Sequence, residues 1–437
     1  MREIKIEKEF KCSCGRVHRA PIEKAVTGSG ATEYVLQAVK AYGAKKAFVL
    51  ADKNTYKAAG EKVCEILAAG GIEYKLYVFG EDRVIPSDAS VGKAVMAFDK
   101  SAEMIIGVGS GVINDIGKIL AATAKLPYAI VATAPSMDGY ASATSSMEIG
   151  GFKVSVDSKI PEIIIGDTDV LKNAPAKTFA AGFGDMLAKY ISIADWRISH
   201  IINGEYYCEE IASMVRRALR KCTDNAAGLL KRDPVAAEAV FEGLLVSGAA
   251  MSYAGLSRPA SGAEHYVSHI YDMRNLAFGT PVDTHGTQCG IGTLVAAKVY
   301  DKIKRITPDR EKALLYAEKF DKQKWYDFLR SYIGKSAEIM IENDEMAGRY
   351  DLSLHAKRLD RIISSWDEIV AAATAEVPSA EEIERALKSV NAPLVPEDIG
   401  LSSEDLPLVF AATKDVRDKY VLSNLCWDLG VLDEVVE

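Results

Sequence analysis

Between residues 46 and 166 short apolar runs alternate with stretches of helical period. Runs 47–50, 74–79, 104–108, 128–133 and 162–166 read as buried strands. The spacing between them predicts helices over 56–69, over 89–98 and from Val112, where Ile113, Ile116 and Leu120 share one side. Residues 150–156 read as a hairpin strand, and Pro161 and Pro175 punctuate the chain on either side of the last run. From Ala176 onward the period is helical nearly throughout. Charged stretches near 300–325 and 342–360 read as surface connections. The pattern predicts an α/β domain over 1–175, followed by an all-α domain over 176–437.

Run 104–108 ends in Gly109, Ser110 and Gly111, and a helix starts directly after them. Such a helix start offers unpaired N–H groups and the positive end of the helix dipole. Small residues in the turn let a pyrophosphate approach the backbone. Gly-x-Gly alone is equally a device for close packing, and Asn114 stands where a third glycine is usual.

Composition narrows the classes. The chain has 437 residues, 49% hydrophobic and 26% charged, enough for two cored domains. A net charge of −8 without a basic block argues against nucleic acid or an anionic membrane as partner. No uninterrupted run of about 18 apolar residues occurs, so membrane insertion is not expected. The N-terminus is too charged for a signal peptide. Seven scattered cysteines suit a reducing compartment, and the expected location is cytoplasmic. Cys12, Cys14 and His18 are metal-ligand types within seven residues. No fourth such residue is near in sequence, and a Cys–Gly turn between two short strands is the plainer account.

Further candidates lie where strands end. Asp52 follows run 47–50, where a carboxylate either bonds the ribose hydroxyls of an adenosine or merely caps a turn. Run 128–133 leads into Thr133-Ala134-Pro135-Ser136-Met137-Asp138-Gly139-Tyr140-Ala141-Ser142. The hydroxyls of Thr133, Ser136 and Ser142 suit a nicotinamide or its ribose, and Asp138 suits a substrate hydroxyl. Of six histidines, His265, His269 and His285 fall within 21 residues. His265 and His269, four apart, share a helix face. A carboxylate such as Asp185 joined by imidazoles, with one coordination position open, is catalytic metal chemistry. Asp185 also sits at ion-pair spacing from Lys189.

The string from Gly109 to Lys118 resembles the Gly-Gly-Gly-x-x-x-Asp-x-x-Lys signature of the superfamily of glycerol dehydrogenases, iron-type alcohol dehydrogenases and dehydroquinate synthases. Ser110 takes the middle glycine. Four further strings resemble bacterial-type sn-glycerol-1-phosphate dehydrogenases: Thr-Ala-Pro-Ser-Met-Asp-Gly-Tyr-Ala-Ser, Gly-Phe-Gly-Asp-Met-Leu-Ala-Lys, Arg-Pro-Ala-Ser-Gly-Ala-Glu-His and His-Gly-Thr-Gln-Cys-Gly-Ile-Gly-Thr. The likeness runs from about residue 25 to at least residue 300, and the final hundred residues match less recognisably. It implies a dehydroquinate synthase-like fold, a Rossmann-like parallel sheet domain followed by an all-α domain. It further implies that Asp185, His265 and His285 hold one divalent metal, zinc or nickel, and that Asp138 and His269 join Asp185 at the substrate. Asp52, Gly109, Gly111, Val112, Ile113, Asn114, Asp115, Thr133, Ala134, Pro135, Ser136 and Ser142 would line NAD(H) or NADP(H). The implied reaction interconverts dihydroxyacetone phosphate and glycerol-1-phosphate in a homodimer. His269 is the expected proton donor and Arg258 the expected phosphate contact. Two relatives share the scaffold: a dehydrogenase of unphosphorylated polyols, and a lyase that keeps its NAD bound and typically has glutamate at position 185.

Overall fold

The apolar runs between 46 and 166 become the centre of one sheet. The computed structural model describes residues 1–150 and 152–436. Among them the strands are β1 (Arg2–Glu3), β2 (Glu9–Lys11), β3 (Val17–Arg19), β4 (Lys24–Gly28), β5 (Lys46–Asp52), β6 (Glu73–Phe79), β7 (Met104–Gly109), β8 (Tyr128–Ala132), β9 (Thr144–Ile149), β10 (Phe152–Asp157) and β11 (Ile163–Asp167). Seven of these form a sheet in the order β1-β4-β11-β8-β7-β5-β6, parallel except for β1. Every residue of β7, β8 and β11 is buried. A parallel strand covered on both faces has no polar side to alternate with, and this makes its run continuous in sequence.

Strand β4 has only three buried residues, Ala25 to Thr27, and the apolar pattern does not single it out. The hairpin strand expected over 150–156 is β10, paired with β9; Gly151 lies outside the described residues. The expected Cys–Gly turn joins the β2–β3 hairpin.

The chain divides into two compact units, Met1–Met186 with Ser213–Leu256, and Leu187–Ala212 with Ser257–Glu437. The first unit therefore continues past the boundary expected at 175. It keeps α2 (Ala176–Leu187) up to Met186, and α3 (Pro234–Ala254) entirely. Phe241 of α3 packs on Gly166 of β11, where a Cβ would lie 2.1 Å from the ring. Helix α3 has the length and hydropathy of a membrane span, but 67% of its most apolar stretch is buried. Glu238 and Glu242 interrupt it and pair with Arg2 and Lys221.

The second unit is helical. Its stretches near 300–325 and 342–360 are not irregular connections, which corrects the sequence expectation. Helices Arg310–Lys319, Lys322–Ile333, Ala337–Ala347 and Leu352–Ser364 occupy most of them. Each buries a narrow stripe, such as Tyr326, Leu329 and Ile333, inside a highly charged surface. A stripe that thin leaves mean hydropathy low and imitates a loop.

Candidate active site

The first unit supplies a nucleotide crevice. From β5 the chain moves outward to β6, and from β7 it moves the other way to β8. The β5–β7 gap is thus the place where strand order reverses, and ligands of open α/β sheets bind at such switch points. Ala51 pairs with Val108, so the two strands end side by side at Asp52 and Gly109. This wiring explains how an acid that precedes the glycine turn in sequence comes to lie beside it.

Helix α1 (Gly111–Ala124) starts directly after that turn. Ser110 occupies the N-cap position, yet its hydroxyl makes no capping bond. The first-turn N–H groups of this 14-residue helix thus donate no hydrogen bond to their cap side chain. The glycines also pack: a Cβ on Gly109 would lie 2.5 Å from Ile113, and one on Gly111 3.0 Å from Met137. Asp52 does what a cap does. Its Oδ1 accepts from the N–H groups of Asn54 and Thr55 at 2.8 and 2.9 Å.

Several residues expected at the cofactor are engaged inside the protein. The Asn114 amide donates to the Gly139 carbonyl at 3.0 Å. Buried Lys118 pairs with Asp115 at 2.9 Å and donates to Ser142 Oγ at 3.2 Å. Burial pushes the Asp115 carboxyl up, and Lys118 opposes it. The side chains of Asn114, Asp115 and Ser142 therefore tie the loop after β8 to α1. Near the start of that loop the Thr133 amide donates to Gly109 at 3.1 Å, and the Ala134 carbonyl accepts from the Tyr140 hydroxyl at 2.7 Å. The Pro135 carbonyl presses against α2, so close that a Cβ on Gly182 would lie 1.9 Å from its oxygen.

That approach brings two of the expected acids together. The Asp138 N–H donates to Asp185 Oδ2 at 3.0 Å, and Ser247 of α3 donates to Asp138 Oδ2 at 2.9 Å. Both acids are buried. Ser247 was not legible as a site residue; its faint signal is the small run Ser-Gly-Ala-Ala inside an apolar helix.

The second unit supplies imidazoles. His265 and His269 lie on α4 (Ala263–Phe278), and His285 opens α5 (His285–Ile303). The helices approach closely at Gly292, where a Cβ would lie 2.4 Å from the Glu264 carbonyl oxygen. The His265 and His285 rings are 5.0 Å apart, and His269 is 6.4 Å from His285. Glu264, fully buried, holds His265 Nδ1 at 2.7 Å and also accepts from the Gly262 N–H. A carboxylate on Nδ1 fixes the tautomer and leaves Nε2 as the ligand atom. Burial pushes the Glu264 carboxyl up to about 7. Asp195, pushed to about 7 by burial and by Glu264, accepts from the Ala263 N–H and the Tyr300 hydroxyl. Cys289 lies one turn after His285, with Sγ 3.6 Å from Nε2. The donor atoms of His265, His285 and Cys289 all lie within 4.8 Å of one another. Glu264 and Cys289 escaped the sequence reading, although each is adjacent to a histidine or one helical turn from it.

Comparison with known proteins bears on this arrangement. A glycerol-1-phosphate dehydrogenase [NAD(P)+] of Bacillus velezensis is 35% identical over 301 residues, 68% of this chain and 76% of that protein. The chain belongs to the glycerol-1-phosphate dehydrogenase family. Its relative of the same name from Halalkalibacterium halodurans is 31% identical over 66% of this chain and 74% of that protein. The iron-containing alcohol dehydrogenase family model matches residues 26–175, from β4 through β11. Among solved structures, glycerol dehydrogenase from Schizosaccharomyces pombe superposes with a TM-score of 0.61. It is 20% identical and covers 98% of this chain and 93% of that one. That likeness confirms the expected fold.

One residue expected at the substrate, Arg258, is held by several protein groups. Arg258 is 1% exposed, and its Nε and Nη2 donate to Glu205, with Nη1 on the Tyr420 carbonyl at 2.7 Å. Its guanidinium is engaged by protein groups inside the second unit. Arg258→Ala is expected to cost about 2 kcal/mol of stability by orphaning these partners. The KM for a phosphorylated ketone should stay within about twofold. Chemical denaturation and steady-state kinetics check both numbers.

Proposed function

We propose that this chain is an NAD(P)-dependent glycerol-1-phosphate dehydrogenase that uses one divalent metal, zinc or nickel, to interconvert dihydroxyacetone phosphate and sn-glycerol-1-phosphate. The observation that carries the reading is the name shared by relatives 31 and 35% identical over about three quarters of their own length. The donor chemistry fits a metal: His265 and His285 offer neighbouring imidazole nitrogens, and Glu264 orients one of them. Asp185 is kept as a further ligand on the strength of its Gly-Phe-Gly-Asp-Met-Leu-Ala-Lys string. When bound, the metal supplies a Lewis acid for the C2 carbonyl oxygen, and the nicotinamide supplies the hydride.

The rest of the chemistry belongs to the chain. The opening amides of α1 receive the pyrophosphate. Asp52 and the loop of Thr133, Ala134, Pro135 and Ser136 bound the remainder of the cofactor at the switch point. Asp138, steadied by Ser247, accepts from a substrate hydroxyl. His269 passes a proton to the C2 oxygen as hydride reaches C2, so carbonyl, hydride and proton together make the secondary alcohol. In this reading 1–175 carries the cofactor grip, 176–437 carries the metal ligands, the chain acts in the cytoplasm and the assembly is a homodimer.

Purified protein loaded with zinc or nickel should oxidise NADH or NADPH in the presence of dihydroxyacetone phosphate. The kcat/KM should exceed that for dihydroxyacetone by about a hundredfold, since a recognised phosphate contributes charge-assisted hydrogen bonds. Equal rates on the two ketones would favour a polyol dehydrogenase. Absence of net NAD(P)H consumption would favour the lyase.

A further inference from the structure

The β2–β3 hairpin carries chemistry that the reaction does not use. Phe10 pairs with His18 and Lys11 with Val17, and the turn between them holds Cys12-Ser-Cys-Gly. Cys12 N–H donates to the Arg16 carbonyl at 3.0 Å, and Gly15 N–H returns to Cys12 at 3.1 Å. Gly15 has φ +85°, a left-handed conformation that brings the chain back sharply and suits glycine. The turn brings both sulfurs near His18. Cys14 N–H points at Cys12 Sγ at 3.5 Å, and Cys14 Sγ lies 3.3 Å from His18 Nε2.

His18 is buried and oriented from behind. Its Nδ1 lies 2.7 Å from the Tyr253 carbonyl, which can only accept, so Nδ1 carries the proton. The lone pair is therefore on Nε2, directed at the thiols. Phe10 packs on the His18 ring at 4.9 Å and on Tyr253 at 5.1 Å, closing the apolar side. The donor atoms of Cys12, Cys14 and His18 all lie within 4.8 Å of one another. Tetrahedral zinc with ordinary bond lengths separates sulfur from nitrogen by about 3.6 Å and sulfur from sulfur by about 3.8 Å. Cys14 Sγ and His18 Nε2, 3.3 Å apart, are already near that spacing. A backbone N–H on one sulfur and a carbonyl on the far imidazole nitrogen are the outer contacts that such ligands require.

We propose that Cys12, Cys14 and His18 bind a thiophilic divalent cation of the zinc class, separate from the metal used in catalysis. The two thiols lose their protons on binding and His18 binds neutral, so uptake releases up to two protons. The ion fastens the hairpin to the end of α3 through His18 and Tyr253. Its role is structural, and it rests on none of the residues assigned to the reaction.

Elemental analysis of protein purified with zinc tests this. The wild type should hold about one equivalent more zinc than Cys12→Ser/Cys14→Ser, while His265→Ala retains the hairpin equivalent. Equal zinc in the wild type and the double variant overturns the proposal. Should that variant not fold, the readout is cobalt titration of the folded Cys289→Ser protein, which lacks the thiol beside His285. About one equivalent of cobalt should produce a thiolate-to-metal charge-transfer band. Absence of the band overturns the proposal, because the bland alternative is a thiol donating to imidazole with no metal. A separate failure of the dihydroxyacetone phosphate assay would leave the hairpin result untouched.

Discussion

His265→Ala is expected to release the catalytic metal and to lower kcat/KM for dihydroxyacetone phosphate by at least about a thousandfold, roughly 4 kcal/mol of transition-state stabilisation. The argument starts from the tautomer. Glu264 occupies Nδ1 of His265, so the lone pair of the neutral ring is on Nε2. No other atom of residue 265 can replace it. Truncation also leaves Glu264 buried, but burial already pushes its carboxyl up to about 7, so it can persist as the neutral acid. The fold should therefore survive, with circular dichroism unchanged. Metal content measured beside turnover separates loss of the ion from loss of structure. A variant that keeps both its metal and more than a tenth of wild-type turnover would remove His265 from the ligand set.

Gly182→Ala is expected to cost about a hundredfold in kcat/KM and about 1–3 kcal/mol of stability. The residue itself carries no group that takes part in the reaction, but it lies one helical turn before Asp185. Its added methyl would lie 1.9 Å from the Pro135 carbonyl oxygen, a contact that must open by more than an ångström. The neighbour is backbone, so no rotamer can absorb the clash. The loop must shift, and it carries Asp138, whose N–H bonds Asp185 and whose carboxylate is held by Ser247. Moving a positioned group by about an ångström is enough for losses of this size. Thermal unfolding and steady-state kinetics of the same preparation check the two numbers. Turnover within twofold of wild type would show that the loop is not held by this contact.

The strand runs of the first unit were readable because covered parallel strands must be apolar on both faces, and β7, β8 and β11 are buried along their whole length. The turn at Gly109 to Gly111 was readable for a local reason, the change from strand to helix period across three residues. The histidine pair on α4 was readable because spacing of four on a helix is a geometric fact. Helices between 310 and 364 escaped, since each hides only a thin stripe among charges.

Local order along the chain was therefore enough to specify the elements of the sheet, the glycine turn and the type of chemistry on offer. Folding alone settled where each polar side chain spends its hydrogen bonds. Arg258 turned toward Glu205, Ser142 toward Lys118 and Ser247 toward Asp138. The partners are 24 to 109 residues apart in sequence. A buried donor must find an acceptor at any sequence distance, and which acceptor it meets depends on packing that no short window of residues contains.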